Sequence, residues 1–297
     1  MGNYNAKNWM GAVSGEKRIS EISIPGTHDS GTKNLKEDKR EHYQCQKLSI
    51  GEQMEIGVRY FDLRCVPKKD KGDVQYINHA SIPCLNEQNK ELTLDEIIKT
   101  GKEFLRRNPT ETLIYQVKNE ANNSNDKRIC NHLGKYIKNN EIWSKSYIPR
   151  LKEVRGKIIL VRRFTFKGDN NYRIPKEKLG INLSSWDTQC FWKMFTNTFV
   201  HVDDKAWVQD RYLVDAGNKY KLIEKAVNEM NDSKRKPSRE WAICLSSCTN
   251  PSPIKTSTEI NKKLLSPNSP LQSKKVGTFI VDFATAELIK KIYERNF

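Results

Sequence analysis

The feature that most constrains this chain is an alternation. Short apolar runs, each about the length of a strand, are separated by longer stretches with helical spacing. The runs fall at 18–24, 59–64, 74–78, 113–118, 158–163, 241–245 and 278–282, with weaker ones at 181–184 and 206–209. Pro25-Gly26 stops the first. Thr93 caps a helix in which Leu94, Ile97, Ile98 and Phe104 share one face, with Asp95 and Glu96 in its first turn. Arg107-Asn108-Pro109 ends it. Further helical patterns cover 127–138, 222–231 and 286–295. Strand–helix alternation argues for a parallel sheet covered by helices. With this many strands in 297 residues, the expected α/β fold is a single distorted (β/α)8 TIM-like barrel, one domain over 1–297. A doubly wound open sheet is the alternative, although no GxGxxG follows the first strand.

The net charge of +16 suits a polyanion or an anionic membrane surface, or equally a lysine-rich solvated surface. Basic residues are scattered apart from short clusters such as Lys68-Lys69 and Lys234-Arg235-Lys236, with no zinc-finger spacing or basic zipper. No nucleic-acid partner is therefore expected. No apolar run reaches the ~18 residues of a membrane-spanning helix. Residues 1–17 lack the apolar core of a signal peptide, and Gly2 lacks the Ser or Thr of a myristoylation site. Either a leader is absent from this chain or the protein stays inside the cell. The seven cysteines, Cys45, Cys65, Cys84, Cys130, Cys190, Cys244 and Cys248, form no CxxC and no ligand spacing with histidine. Buried free thiols are expected, and no structural metal.

The polar residues at the strand ends carry the chemistry. His28 and Asp29 follow the first run, within Pro-Gly-Thr-His-Asp-Ser-Gly-Thr. Arg64 ends the second, His79 follows the third, and Lys118 and Glu120 end the fourth. Arg163, Asp210 and Asp282 close later runs. One histidine or arginine at a strand end is usually structural. Jointly they matter, because all strand C-termini of an α/β barrel open onto one face. Two imidazoles and a guanidinium suit phosphodiester cleavage. One histidine takes the proton of an attacking hydroxyl, the other protonates the leaving oxygen, and the arginine holds the phosphate. A carboxylate beside each histidine fixes its tautomer.

These segments, with Arg-Tyr-Phe-Asp-Leu-Arg, Lys118-Asn119-Glu120, Trp-Val-Gln-Asp-Arg-Tyr at 207–212 and Val-Gly-Thr-Phe-Ile-Val-Asp at 276–282, resemble bacterial phosphatidylinositol-specific phospholipase C, from about Trp9 to the C-terminus. The resemblance implies an imperfect TIM barrel and a two-stage reaction. The inositol 2-hydroxyl displaces diacylglycerol to leave a 1,2-cyclic phosphate, which water then opens slowly. It implies His28 as general base oriented by Asp282, His79 as general acid supported by Asp29, and Arg64 on the phosphate. Lys118, Arg163 and Asp210 would bind inositol hydroxyls, Tyr212 would stack on the ring, and Trp186 would join the binding site. Glu120 and Asp62 are supporting partners.

Unlike the calcium-dependent eukaryotic branch, this chain has Asp29 after His28, and Arg64 where an acidic ligand would stand, so no metal or other cofactor is expected. The implied partner is phosphatidylinositol in a membrane surface, with glycosyl-phosphatidylinositol-anchored proteins as a second class, for a monomer that is secreted or, lacking a leader here, cytoplasmic. The competing readings are a catalytically weak inositol-lipid-binding barrel and another phosphodiesterase on the same fold. The aromatic stretch at 186–199, with Trp186, Phe191, Trp192, Met194, Phe195 and Phe199, fits either a lipid-facing loop or a core helix. His42, Tyr43 and Lys47 mark a second candidate rim.

Overall fold

The computed structural model describes residues 4–37, 40–121, 124–187 and 197–297. Eight parallel strands make the wall: β1 (Ile24–Thr27), β2 (Tyr60–Pro67), β3 (Leu113–Asn119), β4 (Ile158–Arg163), β5 (Ile181–Asn182), β6 (Ala206–Gln209), β7 (Trp241–Leu245) and β8 (Thr278–Val281). Their pairing runs β6-β7-β8-β1-β2-β3-β4-β5. Among the described residues nothing joins β5 to β6, so the barrel is open there. β1, β4, β7 and β8 are buried along their whole length, as expected of parallel strands covered on both faces. The fold is the distorted α/β barrel that the alternation implies.

Helices α1 (Leu94–Arg107), α2 (Asn125–Lys138), α3 (Ala216–Asn231), α4 (Pro253–Leu265) and α5 (Ala286–Tyr293) are the longer ones outside the wall. The capping box at the start of α1 is present, with Glu96 N–H donating to Thr93 Oγ1 and Thr93 N–H to Glu96 Oε2. No periodicity singled out α4, which begins at Ser252-Pro253 in a proline-rich stretch.

Two strand expectations are corrected. Residues 18–24 do not form the first strand. Ile19–Glu21 is a 3-10 turn, closed by Arg18 N–H donating to Glu21 Oε2 at 2.7 Å, and β1 starts at Ile24 and runs through Pro25-Gly26. Ile19 and Ile22 are three apart, a helical spacing. Gly26 is required because a Cβ there would lie 3.0 Å from Tyr60 and Ile280 on the two flanking strands. The run at 74–78 is not a barrel stave either. Gln75–His79 pairs antiparallel with the end of β2 and then with Ile82–Leu85, making a hairpin that stands above the wall.

The N-terminal end is plugged by a buried ion pair. The Arg59 guanidinium, fully buried, donates to Glu111 at 2.9 Å and to the carbonyls of Met54, Val58, Ala6 and Lys7. All five of its donors are thereby used. At the C-terminal end, register places Arg64 beside Lys118 and Lys118 beside Arg163. The site is built on that row.

Candidate active site

The loop after β1 is shaped by its small polar residues. Asp29 sits at φ 42°, a left-handed conformation that Asp tolerates. Thr32 donates its N–H and its hydroxyl to the Asp29 carbonyl, and Ser30 N–H donates to the Asp62 carbonyl. A Cβ on Gly31 would lie 2.7 Å from Ile77 in the hairpin. The motif thus lets the hairpin carrying His79 close over His28. Gln46 ties the loop to β8 by donating to the carbonyls of both His28 and Val281. Asn261 of α4 donates to the Asp282 carbonyl, fixing the residue beyond β8.

His28 Nδ1 donates to Asp282 Oδ1 at 2.9 Å. Its Nε2 accepts from Arg64 Nη2 at 2.7 Å. His79 Nδ1 donates to the Tyr43 carbonyl at 2.7 Å, so its Nε2 faces the cleft. The two Nε2 atoms share one oxygen: Asp29 Oδ2 lies 3.4 Å from that of His28 and 3.5 Å from that of His79. That oxygen is buried and accepts no hydrogen bond. Asp29 Oδ1 forms an ion pair with Arg64 Nε at 2.7 Å, while the Nε–H donates to Asp62 Oδ2. Asp62 and Glu120 flank the same guanidinium at 3.3 and 3.4 Å. Asp62 is itself fixed by Gln116, which donates to it at 2.6 Å.

Burial works against charging His28, but Asp282 and Asp29 outweigh it and lift its pKa from 6.5 to about 9. The Arg64 contact shows the other protonation state, since a guanidinium only donates and Nε2 must offer a lone pair. We take the neutral imidazole, proton on Nδ1, as the form that this geometry holds; the carboxylates make it a strong base. Arg64 is lifted well above its usual pKa, its burial outweighed by Asp29, Asp62 and Glu120. Glu120 is lowered in spite of burial, by Arg64 and Lys118.

The cleft encloses about 210 Å³ and is lined by His28, Arg64, His79, Lys118, Arg163, Asp210, Tyr212 and Asp282, with His42, Cys45 and Asp187 among others. A larger groove of about 860 Å³ lies beside Trp143 and Arg173, near the start of β4, and no histidine lines it among the described residues. Within the cleft, His28, Asp29 and Cys45 offer metal-ligand atoms within 4.8 Å of one another, but the Arg64 guanidinium already hydrogen-bonds His28 and pairs with Asp29. The six described cysteines are buried free thiols, as expected; Cys190 lies outside the described residues.

The structure brings together nine of the ten expected site residues, all except Trp186, within or directly behind this cleft. Trp186 is only 1% exposed, and its ring is not on the cleft surface. It packs under Arg163, 4.1 Å from ring centre to guanidinium, and donates Nε1–H to Asp210 at 2.8 Å. The expectation that it binds substrate is corrected: an indole that is fully covered aims its neighbours instead. Phe199 is buried too, while Phe191, Trp192, Met194 and Phe195 lie outside the described residues. On the other rim His42 and Lys47 are exposed, and Tyr43 supports His79. Asp187 was missed. It lies five residues beyond the end of β5, further from its strand than the other site residues are from theirs, so strand-end position gave only a weak signal.

A barrel that sets two imidazoles, one backed by a carboxylate and one by a backbone carbonyl, beside a guanidinium has the parts of an acid–base catalyst with an anion seat. The family model described as phosphatidylinositol-specific phospholipase C, X domain, matches residues 22–164. The 1-phosphatidylinositol phosphodiesterase of Listeria monocytogenes serovar 1/2a is 28% identical over 98% of this chain and 85% of its own length. Its namesake from Staphylococcus aureus strain Newman is 28% identical over 53% of this chain and 51% of its own. The solved structure of phosphatidylinositol-specific phospholipase C from L. monocytogenes superposes with a TM-score of 0.74 at 26% identity, covering 99% of this chain and all of that one. An S. aureus structure, at 20% identity and a TM-score of 0.76, agrees in fold. Residues 22–164 thus match the X domain of phosphatidylinositol-specific phospholipase C, and the whole chain is similar in sequence and fold to the L. monocytogenes enzyme.

Proposed function

We propose that this enzyme cleaves phosphatidylinositol at a membrane surface, releasing diacylglycerol and inositol 1,2-cyclic phosphate. The observation that carries the reading is the paired imidazoles, His28 backed by Asp282 and His79 by the Tyr43 carbonyl, with their Nε2 atoms 3.4 and 3.5 Å from the same Asp29 oxygen and Arg64 on His28. His28 Nε2 takes the proton of the inositol 2-hydroxyl, and Asp282 stabilises the imidazolium that results. The freed alkoxide attacks phosphorus. Arg64, released from His28 by the incoming phosphate, donates to its non-bridging oxygens. His79 Nε2 gives its proton to the leaving diacylglycerol oxygen. In the slower second stage the roles reverse, and His79 activates water against the cyclic phosphate. A fixed guanidinium backed by three carboxylates supplies the positive charge at phosphorus, so the reaction needs no metal ion.

Lys118, Arg163 and Asp210, which line the cleft, would bind ring hydroxyls. Tyr212, 38% exposed at the rim, is available to stack on the ring. Trp186 acts through Arg163 and Asp210. Glycosyl-phosphatidylinositol anchors present the same headgroup bond and are a second substrate class for a monomeric enzyme. The test is incubation with phosphatidylinositol vesicles in EDTA, followed by phosphorus NMR. The expected course is a cyclic phosphate that later opens to a monoester. Binding without turnover would indicate an inositol-lipid-binding barrel, and a calcium requirement would sink the metal-free mechanism.

A further inference from the structure

The wall of the cleft away from the histidines carries a balance of charge that takes no part in the proton transfers. Its two cations are already paired. Arg163 donates to Asp187 through Nη2. Lys118 Nζ lies 3.0 Å from Glu120 and 3.8 Å from Asp187. A third carboxylate, Asp210, is held by Trp186. Two cations therefore face three carboxylates. Asp187 alone among these three spans both cations, and its side chain is 58% exposed where that of Glu120 is 12%. It stands at the solvent side of the pair.

We infer that Asp187 is a specificity-determining residue, which admits an unmodified inositol ring and turns away rings that carry a further phosphate. The inference rests on the phosphatidylinositol reading above. With the scissile phosphate at Arg64, ring positions remote from it face Lys118, Arg163, Asp187 and Asp210. A hydroxyl there both accepts from the cations and donates to the carboxylates. A phosphate only accepts, and its charge must sit beside Asp187 or expel it from Arg163. The cations would otherwise welcome such a phosphate; Asp187 is what spends their charge. Despite the opposing effect of burial, Arg163 and Lys118 hold its carboxyl below the usual range, so it is anionic at neutral pH. One like charge near contact at a partly exposed site is worth at least about tenfold in discrimination once solvent screening is allowed for.

The test uses water-soluble substrates, glycerophosphoinositol and its ring 4-phosphate, so that membrane surface charge plays no part. The wild type is expected to prefer the unphosphorylated compound. Asp187→Asn should reduce that preference, as a ratio of kcat/KM, by at least about tenfold, and Asp187→Glu should retain it. Calorimetric binding of myo-inositol and inositol 4-phosphate to the same three proteins reads the preference without turnover. A shift in Asp187→Asn there supports the inference even if cleavage fails, whereas absent cleavage alone counts against the proposed activity. If Asp187→Asn, folded by circular dichroism, weakens both ligands equally and leaves the ratios unchanged, Asp187 only positions Arg163 and the inference is wrong.

Discussion

Replacing Asp282 by Asn isolates what a carboxylate does for the base. The rise of the His28 pKa from 6.5 to about 9 is worth about 3 kcal/mol in favour of the imidazolium, at about 1.4 kcal/mol per tenfold change. Burial is the largest single influence and opposes that rise; Asp282, through its charge and its 2.9 Å hydrogen bond, is the foremost influence behind it. Without the charge, the pKa should fall by more than one, to roughly 7 or below. The sign follows from the role. A general base must be neutral, so kcat/KM climbs as pH rises through this pKa, and the variant should begin its climb at lower pH. The plateau should nevertheless drop at least about a hundredfold, because the imidazolium formed in the transition state loses its partner and Nδ1 its strong acceptor. The assay is kcat/KM against pH on a soluble inositol phosphodiester, paired with an NMR titration of the His28 ring. An acidic limb that stays in place, with the ring pKa unmoved, would refute the assignment of Asp282 as the group that raises it.

His28→Ala and His79→Ala should each lower turnover by at least about a hundredfold with circular dichroism unchanged; near-normal turnover in either removes that histidine from the mechanism. Trp186→Phe should weaken binding of inositol headgroups more than it lowers kcat, since it frees Asp210 but touches neither histidine; calorimetry with myo-inositol separates the two, and a loss confined to kcat would argue otherwise. Arg59→Met should destabilise the fold by about 3–5 kcal/mol by stranding the buried Glu111, measured by urea unfolding, and a change below about 1 kcal/mol would show that the plug is dispensable.

Much of this site was legible because parallel strands impose a rule on position. Every strand of a βα barrel delivers its last residues to the same face, so Arg64, Lys118 and Arg163 could be gathered from three separate runs before any contact was known. Asp187 escaped the rule because it lies five residues beyond the two-residue β5. Errors arose where local pattern did not report the neighbouring element. Ile19, Ile22 and Ile24 are apolar whether in a turn or a strand, and the Glu21 side chain decided for the turn. The run at 74–78 has the alternation of a strand and is one, but its partner is antiparallel, which no residue within it specifies. Trp186 was assigned to the binding site by family resemblance alone. Burial beneath Arg163 is a property of the packing.

The sequence by itself determined the class of fold, the face on which chemistry occurs and the residue types that meet there, since strand–helix periodicity and strand-end position are both local in the chain. The tertiary structure decided the connectivity of charge. One Asp29 oxygen serves two histidines, Arg64 is divided among three carboxylates and a histidine, and Asp187 occupies the cations of the ring-binding wall. These assignments depend on separations of about 3 Å between side chains far apart in sequence. Such separations are set by strand register, by the left-handed turn at Asp29 and by the hairpin that folds His79 back over β1.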